Sequence, residues 1–387
     1  MSLKTQFLLD PNVIFLNHGS FGATPQPVFE SYKHWQYRLE KQPVKFIGRE
    51  IHSYLKNARQ KLGEYLHIQP DDLVFIPNAT FGVNILARSI KLKEGDEILT
   101  SDHEYGACEN AWIFSCRKTG ASLVRQPISL PITSFAQIVE QFWQGVTPRT
   151  KVIYISHITS PTALCMPVSE ICKRARAAGI ITIIDGAHAP GQMNIDLEDL
   201  GADFYVGNCH KWMLGAKGAG FLYASKEMQK IVEPLVVSWG WGDNSPYTTG
   251  SDFLDNLEWW GTKDPAAYLS IPAAIHFQEE HDWPSVRREC NQILRETLRR
   301  ISELTGIPPI YPDANGYYYQ MATAPLPAID NLIEFKTQLY AQYQVEVPCL
   351  EWNEDPYIRI SIQAYNSLED INILLDALEQ MLPNYQL

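Results

Sequence analysis

No two of the seven cysteines (108, 116, 165, 172, 209, 290 and 349) stand as a CxxC pair, and an odd count cannot close into an even disulfide framework. Reduced thiols in a cytoplasmic protein are expected. Long apolar runs are missing too. The opening MSLKTQFLLDPNVIFLNHG has one short apolar stretch and no small-residue cleavage site, so neither a signal peptide nor a membrane span is expected. Positive charge is in deficit: 32 Lys and Arg against 44 Asp and Glu leave −12, which disfavours nucleic acid or an anionic membrane as partner. There is no repeat, no low-complexity tract and no metal-ligand spacing, so no metal is expected. What remains is an ordinary globular chain of 387 residues, 45% hydrophobic and 20% charged, long enough for two cores.

The chemistry concentrates between Ile180 and Gly215, in IITIIDGAHAPG and DFYVGNCHKWMLG. An apolar, β-branched strand delivers Asp185 to its C-terminal edge, and a second strand delivers His210 and Lys211. The spacing of 26 residues from Asp185 to Lys211 allows one helical excursion and a return strand, so both groups reach one pocket. A buried acid facing a strand-end lysine suits pyridoxal 5'-phosphate (PLP), which needs an amine for its aldehyde and a carboxylate to keep its ring nitrogen protonated. Taken singly, Asp185 is far more readily a turn cap and Lys211 a solvated lysine. The flanking His210, Trp212, Gly207 and Gly215 are poor company for a surface lysine.

Short strand-like runs at 73–76, 97–100, 122–127, 151–156, 179–184 and 203–207 alternate with helical stretches near 80–93, 105–118, 134–144 and 168–178. This predicts an α/β domain with a mostly parallel sheet covered by helices on both faces. After about residue 264 the pattern changes to long helices, then the strands YYYQMAT and YIRISI, which predicts a smaller α+β C-terminal domain. The expected divisions are an N-terminal arm (1–25), a large domain (26–255) and a small domain (256–387). Residues 77–80 follow a strand and open a helix, whose N–H groups and dipole face an anion. Thr80 reads locally as a phosphate ligand or an N-cap. Arg359 shares one strand face with Tyr357 and Ser361, and its guanidinium fork fits a carboxylate.

NHGSFGATP from Asn17, NATFGVN from Asn78, TSDHEYGA from Thr100, SHITSPTA from Ser156, DGAHAPG from Asp185, NCHKWM from Asn208, VSWGWG from Val237, WWGTKDPAAYLSIPAA from Trp259 and YIRISIQAYN from Tyr357 stand in one order over nearly the whole chain. Together they resemble the fold-type-I PLP-dependent enzymes of the class V aminotransferase group, in its isopenicillin N epimerase-like branch. The resemblance implies that Lys211 and Asp185 are catalytic and that Ala79, Thr80, Asn208 and His210 surround the phosphate. It implies that Tyr105 is the aromatic on the ring face, with a catalytic part as well, that His103 lies outside, and that His188 lies by the acid or ring. Ser160 falls where many relatives place an asparagine near the cofactor's 3-hydroxyl, with Thr162 a substitute. Arg359 becomes the α-carboxylate clamp, Asn17 and His18 line the substrate entrance, and Thr262 of one subunit reaches the phosphate of the other in an obligate homodimer.

Four tryptophans (239, 241, 259 and 260) among glycines suggest a cavity wall or subunit interface as against ordinary core. The function expected is a PLP-dependent enzyme acting at the α-carbon of an amino acid or amino-acid-derived substrate, epimerase-like or aminotransferase-like. His18, His103 and Tyr105 are the candidates for proton delivery from the second face. The alternative is a cysteine desulfurase or cysteine lyase, for which Cys349 lies in a suggestive region but without the usual motif. A scaffold that binds PLP without catalysis fits poorly with an intact Asp185, Lys211 and Arg359.

Overall fold

The computed structural model describes residues 3–242, 248–312 and 314–385. Two helices, α1 (Gln26–Lys41) and α2 (Ile51–Leu66), precede the first large-sheet strand. The chain then alternates through β1 (Leu73–Ile76), α3 (Ala79–Ser89), β2 (Glu97–Ser101), α4 (Gly106–Thr119), β3 (Ser122–Gln126), α5 (Phe135–Trp143), β4 (Thr150–Ser156), α6 (Val168–Ala178), β5 (Ile181–Gly186), β6 (Phe204–Asn208) and β7 (Gly220–Ala224). These strands form one seven-stranded sheet in the order β1-β7-β6-β5-β4-β2-β3. Its inner ladders are parallel, and β7 alone runs antiparallel to both neighbours.

The continuous apolar runs have a direct cause, since the sheet is buried on both faces. Ile153, Ile155 and Ile184 enter one core while Val152, Tyr154 and Ile183 enter the other. Two sequence expectations need correction. The strand expected at 179–184 runs to Gly186, because Asp185 is itself a ladder residue, paired with Ser156 and Val206. Strand β7 was not expected. It is a five-residue run that follows β6 without an intervening helix.

Helix α7 (Ile271–Glu280) lies against α1 and α2. Beyond it, α8 (Trp283–Thr305) packs on an antiparallel sheet, in the order β9-β10-β8, made of β8 (Met321–Pro325), β9 (Cys349–Trp352) and β10 (Asp355–Ser361). Helices α9 (Leu332–Tyr343) and α10 (Leu368–Met381) complete this part. The expected strand YYYQMAT begins only at Met321. The first residues join the last: Ile14 pairs with Val345, Leu3 N donates to the carbonyl of Ala364, and Ser361 N donates to that of Leu16.

Candidate active site

A cleft of about 230 Å³ opens where β2, β4, β5 and β6 end, close to where strand order reverses between β2 and β4. Carboxyl ends at such a reversal leave a crevice between diverging loops, the usual ligand site of open α/β sheets. Asp185, at the end of β5, is 3% exposed. Its carboxylate accepts from the Tyr154 hydroxyl at 2.7 Å and from Ala187 N at 2.9 Å, so neutral donors hold it. Beside it Glu104, fully enclosed, accepts from Ser101 Oγ (2.6 Å), Ser156 Oγ (2.5 Å) and Ser156 N (3.0 Å). Burial raises its carboxyl to about 7 against the pull of those bonds, and Asp185 adds to the rise.

Opposite the acids stand bases whose charge burial disfavours. Lys211 is pushed down to about 8, by desolvation and then by Arg359, with Asp185 pulling the other way. Its Nζ lies 3.1 Å from His188 Nε2, and the Trp212 indole N–H donates to His188 Nδ1 at 3.3 Å. Desolvation, with Lys211 and Arg359 nearby, holds His188 well below the ordinary histidine range. Arg359 reaches in from β10, its Nη1 donating to the Ser160 carbonyl at 2.6 Å and hydroxyl at 3.2 Å, and its Nη2 to Ser20 Oγ at 3.3 Å. Among the described residues no carboxylate pairs with it, and its Nε is buried without a partner, so neutral groups hold the fork and its charge is left for an anion to meet.

The third wall is the N-terminus of α3. Asn78 caps it through Phe81 N at 2.9 Å, and Asn208 Oδ1 accepts from Ala79 N at 2.8 Å. Thr80, expected as cap or ligand, is not the cap; it lies in the first turn, on the cleft. Gly220 makes the Asn208 bridge possible, since a Cβ there would stand 2.7 Å from the Gly207 carbonyl and 3.1 Å from the Asn78 Cα. His210 also lines the cleft, its Nδ1 3.1 Å from the Ala219 carbonyl, and burial lowers it to about 4.

Ala79, Thr80, Tyr105, Ser160, Asp185, His188, Asn208, His210 and Lys211 thus line one cleft. Tyr105 stands at its mouth, 49% exposed. The others lie elsewhere. His103 is buried against Trp352, 4.3 Å between ring centroids, and bonded to Thr162 and the Ile128 carbonyl, so neither His103 nor Thr162 faces the cleft. His18 is fully buried behind the lysine. Its Nδ1 takes the Ala23 N–H and the Tyr365 hydroxyl, which leaves Nε2 to donate to the Lys211 carbonyl at 3.1 Å. Burial drives it to about 3, so it steadies the lysine's backbone as a neutral ring. Asn17 binds Glu346 and Ser20. Thr262 is exposed, off the cleft, and Cys349 lies in a separate groove beside α9, its thiol pushed up to about 12 by burial.

Glu104, Ser156, Tyr154, Cys108 and Ser20 complete the site and were not singled out from sequence. The signal for Glu104 was an acid adjoining Tyr105; Ser20 had only its place in NHGSFG. A larger cavity, about 610 Å³, lies beside α8, where Arg299 is paired to Glu296 and Glu303; it holds none of the residues above.

A neutral-bonded acid, a desolvated lysine amine and a helix N-terminus at one sheet edge are the donor set a pyridine, an aldehyde and a phosphate require, and the fold is that of the fold-type-I PLP-dependent enzymes. The aminotransferase class-V pattern matches residues 14–374. The chain is 33% identical to the isopenicillin N epimerase of Amycolatopsis lactamdurans over 389 residues, covering 98% of this chain and 97% of that one. It is 25% identical to a probable chloroplastic L-cysteine desulfhydrase of Arabidopsis thaliana, covering 95% and 83%. Among solved structures, a cysteine desulfurase of Escherichia coli superposes with a TM-score of 0.82 at 21% identity, covering 99% of this chain and 98% of that one, which shows the fold. The chain belongs to the class-V aminotransferase family, and its cofactor is PLP.

Proposed function

We propose that this enzyme labilises the α-C–H bond of an amino acid or amino-acid-derived substrate, with an epimerase-like or aminotransferase-like outcome. The observation that carries the reading is the Lys211 amine, desolvated and lining one cleft with Asp185, with Arg359 near enough to oppose its charge. The bound cofactor supplies an electron sink for the electrons of the broken α-bond. Asp185 keeps a proton on the ring nitrogen, and Ala79, Thr80, Asn208 and His210 surround the phosphate. Lys211 would hold the aldehyde and would take the α-proton. Arg359 grips the α-carboxylate beside Ser160, while of the arm residues Asn17 holds Ser20 and His18 holds the Lys211 carbonyl from behind. Tyr105 covers the outer ring face and delivers the proton from the opposite side.

The likeness to an epimerase over nearly the full chain supports the first outcome. The desulfhydrase relative supports cysteine cleavage as the competitor. Incubating the enzyme with single amino acids in deuterium oxide separates them. Epimerisation places deuterium at the α-carbon with loss of chirality and releases no sulfide, alanine or pyruvate. Sulfide with pyruvate makes it a desulfhydrase, and alanine with sulfur retained on the protein, abolished by Cys349→Ser, makes it a desulfurase. No exchange with any amino acid defeats the reading.

The chain's arm, large domain and small domain at 1–25, 26–255 and 256–387, and its cytoplasmic location, belong to the same proposal. So does a homodimer in which Thr262 completes the partner's phosphate site. Trp239 (67% exposed) and Trp241 (60%) supply apolar surface for it. Mixing Lys211→Ala and Thr262→Ala chains should regenerate activity that neither shows alone, and no regain would refute the shared site.

A further inference from the structure

Trp212 has no part in the chemistry above, yet it fixes a proton position beside it. An indole N–H only donates, so His188 Nδ1, 3.3 Å away, must accept. A neutral imidazole that accepts at Nδ1 carries its proton at Nε2. That nitrogen faces Lys211 Nζ at 3.1 Å. With the proton on Nε2, the lysine has to accept, which an amine does and an ammonium cannot. We propose that Trp212 is a positioning residue: by locking His188 in the Nε2–H tautomer, it holds Lys211 as the neutral amine, the form that attacks an aldehyde and accepts a proton from carbon.

The reverse arrangement is costly. A charged lysine would donate into Nε2, which moves the imidazole proton to Nδ1 and sets two N–H donors against each other across a buried contact. Trp212 cannot turn aside, being fully buried with its ring 4.8 Å from that of His18, which in turn bonds the Lys211 carbonyl. The other groups facing Lys211 are Arg359 from β10, which opposes its charge, and Asp185 from β5 and Cys108 from α4, which favour it. Around His188 stand Lys211, Arg359, His210 and His18, all of which oppose a second proton.

The inference rests on Lys211 being the cofactor lysine, and its test is made on the full chain freed of cofactor, without substrate. Nitrogen NMR of 15N-histidine-labelled protein should show His188 uncharged and protonated at Nε2. Competitive acetylation across pH 6 to 10, read by peptide mapping, gives the Lys211 titration. Trp212→Phe should raise that pKa by about 0.5–1 unit, the equivalent of about one hydrogen bond, and mix the tautomers. His188→Gln keeps an acceptor for Trp212 and a donor for Lys211, so it should hold the titration within about 0.3 unit of the parent. An Nδ1–H tautomer in the parent, or no shift in Trp212→Phe, overturns the proposal; if that variant does not fold, the parent's tautomer decides. Borohydride trapping of the cofactor on a different lysine would defeat the functional reading while leaving the tautomer result intact.

Discussion

The two walls of the cleft carry opposite charge and reach it by opposite means. On the acid side Asp185 and Glu104 are held by hydroxyls and backbone N–H groups, and a buried carboxyl is driven up. On the basic side burial drives Lys211, Arg359 and His188 all down; Arg359 lowers Lys211 further, and both lower His188. A structural salt-bridge network would intermix the signs to cancel them, as Arg59 does with Glu258 at 2.6 Å, well away from the cleft. Here like charges are grouped, which stores unfavourable electrostatics until a guest arrives with a cationic ring at one end and anionic groups at the other.

Breaking the acid wall at its centre should have the largest effect. Asp185→Asn keeps the shape and the Tyr154 contact but cannot hold a proton on the ring nitrogen. α-Proton exchange should fall about 10³-fold or more, roughly 4 kcal/mol of barrier. A loss under tenfold would remove the carboxylate from the mechanism. On the basic wall, Arg359→Leu should raise KM for the amino acid about 100-fold, roughly 3 kcal/mol, with a smaller change in kcat. An unchanged KM would mean that the substrate carboxylate binds elsewhere.

Glu104 sharpens the comparison through stability. Its folded pKa, about 7, lies above the ordinary carboxylate value of 4.5, so the folded state holds the proton more tightly. Its contribution is therefore complete below about pH 4.5 and is lost as pH rises toward 7, on the order of 2–3 kcal/mol in all. In Glu104→Gln, denaturant unfolding should lose that slope between pH 4.5 and 7. An unaltered slope would place the titration on another group.

The parallel strands were legible because burial on both faces writes itself as continuous Val, Ile and Leu runs. Asp185 and Lys211 were legible because each stands where such a run stops. Strand β7 was not, since an antiparallel return needs no crossover helix and leaves no gap to read. Glu104 was hidden because an acid in a turn reads as solvated until Ser101 and Ser156 are seen closing over it. The link from Arg359 to Ser20 spans 339 residues, and no local pattern carries such a distance. His18 was read as lining the entrance from its place in the arm; the Ala23 and Tyr365 bonds that turn it behind the lysine depend on tertiary packing alone.

That arm has a consequence for how the chain is made. His18 is synthesised well before its partner Tyr365, which lies 347 residues downstream. The strand at Ile14 must likewise wait for Val345, and the carbonyl of Leu16 for Ser361. Lys211 is therefore synthesised long before the groups that seat its backbone and close its surroundings can assemble. A chain halted before residue 345 holds every strand of the large sheet but lacks Arg359 and the Tyr365 hydroxyl that bonds His18 beneath the Lys211 carbonyl. The surroundings of the amine are thus finished only by residues far downstream of it.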